Sequence, residues 1–155
     1  MKLCIGSDHA AFTLKGKVLE ELKKMGHEVI DVGTYTADSA DYPDFGAKVG
    51  RMVAEGEVPR GIAICGTGVG ISIAANKIRG VRAVCCSDTF SARMSRAHND
   101  ANVLCFGERV VGIGLAMELV KAFLETDFEG GRHALRVDKI RQLEAQRDGA
   151  GGSKC

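Results

Sequence analysis

Gly66-Thr67-Gly68-Val69-Gly70 places glycine at every second position directly after an apolar run. Alternate glycines let neighbouring backbone N–H groups converge on an anion. The spacing matches neither a Walker phosphate loop nor GxGxxG, because the glycines fall at 66, 68 and 70. A tight turn that packs a helix closely gives the same spacing. A position straight after a strand favours an anion or oxyanion nest. Cys65 closes the apolar run just before it. A strand cysteine is by default a buried, inert thiol, and Cys4, Cys85 and Cys105 fit that description. Cys65 instead abuts a glycine-rich helix N-terminus, a setting that favours a thiolate. A thiolate beside an oxyanion nest serves as nucleophile or general base.

Two acid–imidazole groupings accompany it. Asp8-His9 follows the first apolar run, and His98-Asn99-Asp100 precedes the last. Single histidines are most often structural or exposed, as His27 reads, but a pair at a strand's carboxyl end suits proton transfer. Arg109, Arg132 and Arg136 are candidate guanidinium clamps, and the last two are four apart, on one face of a helix. Each alone also fits an ordinary surface arginine. Beside a glycine nest they point to a phosphate-bearing small molecule. Tyr42, just before Pro43, either borders the crevice or packs as a loop aromatic. Lys77 and Arg79 read as a solvated helix end.

These residues need a scaffold. Five nearly continuous apolar runs, at 2–6, 28–32, 61–65, 82–85 and 102–106, read as strands buried on both faces. Helical periodicity falls at 11–25, 44–55, 68–78, 89–96, 112–125 and 134–146. Alternating strands and helices predict an α/β fold: a three-layer αβα, doubly wound, five-stranded parallel sheet, Rossmann-like, with an extra C-terminal helix. Such sheets bind ligands at the carboxyl ends of their strands. The candidates cluster there. One domain is expected over 1–147, with a flexible tail over 148–155.

Composition narrows the classes. The chain has 155 residues, 20 glycines against 2 prolines, and a net charge of +1. Glycine without proline suggests tight turns rather than disorder. The absence of a basic excess argues against nucleic-acid or membrane-surface binding. No run reaches 18 apolar residues, and nothing resembles a signal peptide. The six cysteines, at 4, 65, 85, 86, 105 and 155, show no zinc-finger spacing. A disulfide framework is not expected at this size, so the reading is a cytoplasmic protein with reduced thiols.

The motifs at 6–12 (GSDHAAF), 41–44 (DYPD), 65–77 (CGTGVGISIAANK), 98–104 (HNDANVL), 107–112 (GERVVG) and 129–133 (EGGRH) resemble ribose-5-phosphate isomerase type B. That family also includes galactose-6-phosphate isomerase subunits, and the resemblance spans about residues 2–146. It implies an aldose–ketose isomerase with no metal or organic cofactor, working through a cis-enediolate. Cys65 would be the base that moves a proton between C2 and C1. His98 would open the furanose ring. Asp8 and His9 would contact the sugar and its ring oxygen, with Tyr42 at the border. Gly66, Thr67, Gly68, Val69 and Gly70 would hold the enediolate oxygens, with Asn99 as a further donor. Arg109, Arg132 and Arg136 would clamp the phosphate.

The resemblance further implies a homodimer or homotetramer with its site across the subunit interface. His98 and Asn99 would then serve the neighbour's Cys65. One branch of the family lacks the cysteine and carries a glutamate base where Ile71 stands here, so this chain reads as the cysteine branch. Galactose-6-phosphate isomerase divides its site between two different subunits. Having both Cys65 and His98, this chain reads as a self-sufficient homo-oligomer. Two alternatives remain: a six-carbon substrate such as allose 6-phosphate or galactose 6-phosphate, and a non-catalytic sugar-phosphate sensor. A sensor needs neither the Cys65 base nor the His98 acid.

Overall fold

The computed structural model describes residues 1–150. Strands and helices alternate along the chain. They run β1 Lys2–Ser7, α1 Phe12–Lys24, β2 Glu28–Asp31, α2 Tyr42–Ala54, β3 Gly61–Cys65 and α3 Val69–Ala75. Then follow β4 Ala83–Cys85, α4 Thr89–Asn99, β5 Val103–Gly107, α5 Ile113–Leu124 and α6 Arg132–Ala150. A short 3-10 turn, His9–Ala11, leads into α1.

The five strands form one parallel sheet in the order β2-β1-β3-β5-β4. The strand order reverses between β1 and β3. A crevice opens there at the carboxyl ends, where open α/β sheets take ligands.

Alternate strand residues feed two cores. Ile5, Ile62, Ile64, Leu104 and Phe106 pack against Leu14, Val18 and Leu22 of α1 and Leu119 and Phe123 of α5. Cys4, Ala63, Cys65, Val103 and Cys105 face Val49 and Val53 of α2 and Ile71 and Ala75 of α3. Each fully buried aliphatic or phenyl side chain contributes roughly 1.5–3 kcal/mol. The second face is lined by small residues, so α2 and α3 approach the sheet closely. This pleat also turns the Cys65 side chain toward α3.

The expected fold class is observed, and the element ends differ by a few residues. Tyr42 opens α2, and Pro43 occupies the first turn, where its fixed φ suits a helix and its missing N–H costs nothing. Tyr42 is therefore a helical residue, not a loop aromatic. Helix α4 begins at the cap Asp88, whose Oδ1 accepts from Ser91 N–H at 2.7 Å, and continues past 96 to Asn99. Helix α6 spans 132–150 rather than 134–146, so 148–150 belong to a helix. The rest of the expected tail, 151–155, lies outside the described residues. Among the described residues, no helix is long and apolar enough to cross a membrane.

Lys15 fixes the loop after β2. Its buried ammonium donates to both carboxylate oxygens of Asp31 and to Thr34 O, each at 2.7 Å. That loop reaches the crevice at Ala40.

Candidate active site

The turn after β3 is built backbone against backbone on the end of β5. A Cβ on Gly107 would lie 2.4 Å from Thr67 Cα, and one on Gly68 would lie 2.6 Å from the Phe106 carbonyl carbon. Gly68 also has φ +82, which side-chain-bearing residues rarely adopt. Glu108 N–H donates to Cys65 O and Arg109 N–H to Gly66 O, both at 3.0 Å. These bonds seat the 65–68 turn firmly on the 107–109 turn.

Within this seat the Cys65 sulfur accepts the Gly68 N–H at 3.1 Å. Cys65 is 4% exposed and lines a cavity of about 280 Å³. Gly66, Thr67, Gly70 and Arg109 line the same cavity. The Arg109 guanidinium lies over Gly66, 3.4 Å from where a Cβ would stand. The Tyr42 ring occupies the space that a side chain on Gly70 would need, within 2.8 Å. Asp8, His9 and Tyr42 line the cavity too.

Asp8 is unusual. It is 6% exposed, and its Oδ1 has no hydrogen-bond partner. A buried carboxylate oxygen left without a donor is costly, so it points to a ligand hydroxyl. Burial raises the Asp8 carboxyl above the usual aspartate range, and the charges of His9 and Arg109 partly offset this. Nδ1 of His9 lies 3.0 Å from both N and O of Ala40, which holds the ring by one nitrogen.

Burial pushes Cys4 up to about 12 and Cys86 up to about 11, and it also raises Cys105. Cys85 corrects the expectation of a buried strand cysteine. It is exposed, because β4 is a short edge strand, and its thiol donates weakly to Thr67 O at 3.7 Å.

Six expected site residues do not line this cavity: Gly68 and Val69 of the adjoining turn and helix start, and four that lie elsewhere. His98 and Asn99 end α4, Arg132 opens α6, and Arg136 lies one turn further on. There the His98 and His133 rings stack, with centroids 4.2 Å apart and planes 6° apart. Glu129 Oε2 lies 3.5 Å from His133 Nε2 and 3.9 Å from His98 Nε2. Desolvation, and then the adjacent His98, hold His133 below the ordinary imidazole value. The sequence reading did not single out Glu129 and His133. Their signal was adjacency to Arg132 in the 129–133 motif.

Donor atoms of His98, Glu129 and His133 lie within 4.8 Å of one another. Two histidines and a glutamate are a known zinc donor set. Parallel stacked rings, however, aim their in-plane lone pairs side by side, not at one point. As placed, the cluster is an imidazole stack with a carboxylate at its edge. A larger cavity, about 490 Å³, lies between α6 and the ends of α3 and α4, with Val81, Ile140 and Leu143 on its walls. Among the described residues, no glycine-rich turn lines it.

The ribose/galactose isomerase family model matches residues 3–140. The chain belongs to this family. Ribose/galactose isomerase relatives cover nearly its full length. It is 52% identical over 147 residues to ribose-5-phosphate isomerase B of Escherichia coli, covering 95% of this chain and 99% of that one. It is 40% identical over 147 residues to D-erythrulose-4-phosphate isomerase of Pectobacterium atrosepticum, covering 94% and 97%. The Clostridium thermocellum ribose-5-phosphate isomerase B structure superposes with a TM-score of 0.93 at 56% identity, covering 95% and 99%.

Proposed function

We propose that this chain interconverts D-ribose 5-phosphate and D-ribulose 5-phosphate as an aldose–ketose isomerase. The observation that carries the reading is the Cys65 sulfur in a cavity, 3.1 Å from the Gly68 N–H. Chain-long likeness to ribose-5-phosphate isomerase B supports it.

The Cys65 thiolate removes the proton from C2 of the open aldose. The freed electron pair forms the C1–C2 double bond, and negative charge moves to O1. Backbone N–H groups of the 66–70 turn, with the Thr67 hydroxyl and Asn99, stabilise that oxygen. Removing one such donor typically costs about 3–4 kcal/mol of barrier. A proton passes from O2 to O1, the thiol returns its proton to C1, and C2 becomes the ketone. Asp8 Oδ1 accepts a sugar hydroxyl, and His9 contacts the ring oxygen. Arg109 anchors the phosphate from the Cys65 wall and so orients the substrate.

The cavity lacks His98, Asn99, Arg132 and Arg136. A second copy of the chain supplies them across the interface of a homodimer or homotetramer. His98 then protonates the furanose oxygen, and Arg132 and Arg136 complete the phosphate clamp. Residues 1–147 act as one isomerase domain, in the cytoplasm, where thiols stay reduced.

A solvent-exchange NMR assay tests this reading. In D₂O, ribose 5-phosphate is converted and deuterium enters C1 of ribulose 5-phosphate. The same assay on four-carbon and six-carbon aldose phosphates gives lower kcat/KM. Binding without exchange at C1 or C2 contradicts the isomerase and favours a sensor. Higher kcat/KM on allose 6-phosphate or galactose 6-phosphate reassigns the sugar.

A further inference from the structure

Asp100 stands out in the backbone. It caps α4 with φ 47 and ψ 41. Among the described residues, every other residue with φ in this range is a glycine. A side chain kept where glycine is the easy choice indicates that the side chain is needed.

Its carboxylate bridges two guanidinium groups. Oδ2 accepts from Arg82 Nη2 and Oδ1 from Arg96 Nη1, both at 2.9 Å. Arg82 also donates to the carbonyls of Asn99 and Asp100. Arg96 is 2% exposed and donates to the carbonyls of Ala101 and Thr126. The Thr126 contact and the Glu129 N–H bond to Ala97 O tie the 126–129 segment to α4. That segment leads to Glu129 and His133; the His133 ring stacks on the His98 imidazole and Glu129 lies at its edge. The network thus holds His98 from its own helix end and from its stacking partner.

We propose that Asp100 is a positioning residue for His98, holding its imidazole in place for ring opening through Arg82 and Arg96. This rests on the isomerase reading above. The chemistry supplies a clean separation. Ribose 5-phosphate closes to a furanose and needs an acid to open it. Ribulose 5-phosphate cannot close onto C2, because O5 carries the phosphate. Deuterium entry at its C1 therefore requires Cys65 and the nest but no ring opening.

The test uses Asp100→Gly, which keeps the left-handed turn and removes the carboxylate, in the natural and the His98→Asn backgrounds. Asp100→Asn keeps one acceptor without the charge and serves if the glycine variant does not fold. Ribose 5-phosphate conversion is expected to fall about a hundredfold in Asp100→Gly, the scale of a misplaced catalytic group. Exchange at C1 of ribulose 5-phosphate is expected to fall by less than about twofold, the usual limit of additivity. The effect of Asp100→Gly on conversion is expected to vanish once His98 is already asparagine. Equal fold-losses in both backgrounds, or on both reactions, overturn the proposal. A natural protein with neither conversion nor exchange overturns the isomerase reading instead.

Discussion

The Cys65 sulfur sits 3.1 Å from the Gly68 nitrogen, inside a turn that begins and ends on β5 contacts. One N–H bond therefore ties the proposed base to the proposed anion nest. Any change that moves Gly68 moves both.

Gly68→Ala should show this coupling. Its Cβ would meet the Phe106 carbonyl carbon at 2.6 Å and Cys85 Sγ at 2.9 Å, at a φ of +82. Backbone cannot yield as a flexible side chain would, so the turn must shift. We expect kcat to fall about 10²–10³-fold, as for a lost oxyanion donor. We also expect a stability loss of roughly 1–3 kcal/mol. Steady-state kinetics and thermal melts check both.

Asp8→Asn should separate stability from function. Burial raises the Asp8 carboxyl, so the folded state holds its proton to higher pH than the unfolded state. Stability then falls as pH rises from the unfolded aspartate value through the raised folded one, and the penalty persists at neutral pH. Replacing the carboxylate removes that penalty. The variant is expected to melt higher at pH 7, with the gain shrinking below about pH 4. Its kcat/KM for ribose 5-phosphate is expected to drop. A variant that melts lower at pH 7 contradicts the assignment of a carboxylate whose burial outweighs the support of its neighbours.

Subunit complementation tests the shared site. Cys65→Ala and His98→Asn chains are each expected to convert ribose 5-phosphate poorly. In a mixed dimer, one cavity combines an intact Cys65 with an intact His98 from the neighbour. Mixing the two inactive proteins under subunit exchange should therefore restore conversion. No recovery in mixed dimers verified by mass spectrometry means that each chain supplies its own His98.

Much of this was legible from residue type and order. The continuous runs at 2–6, 61–65 and 102–106 marked buried parallel strands, and the residues just beyond them carry Asp8, the 66–70 turn and Arg109. Fold and cavity wall followed from the same pattern. Asp100 was legible only as a neighbour of His98, because its role rests on guanidinium groups 18 positions before and 4 positions before it in sequence. His133 was hidden similarly, since stacking on His98 depends on how α6 meets α4. Cys85 misled because an apolar run does not reveal whether its strand lies at the sheet edge.

The most direct measurement is deuterium entry at C1 of ribulose 5-phosphate in the Cys65→Ala protein, with sugar-phosphate binding followed separately by calorimetry. If Cys65 is the base, binding persists and exchange is lost, while His98→Asn retains exchange. Exchange near the natural rate in Cys65→Ala would contradict the account, because another group would then be moving the proton.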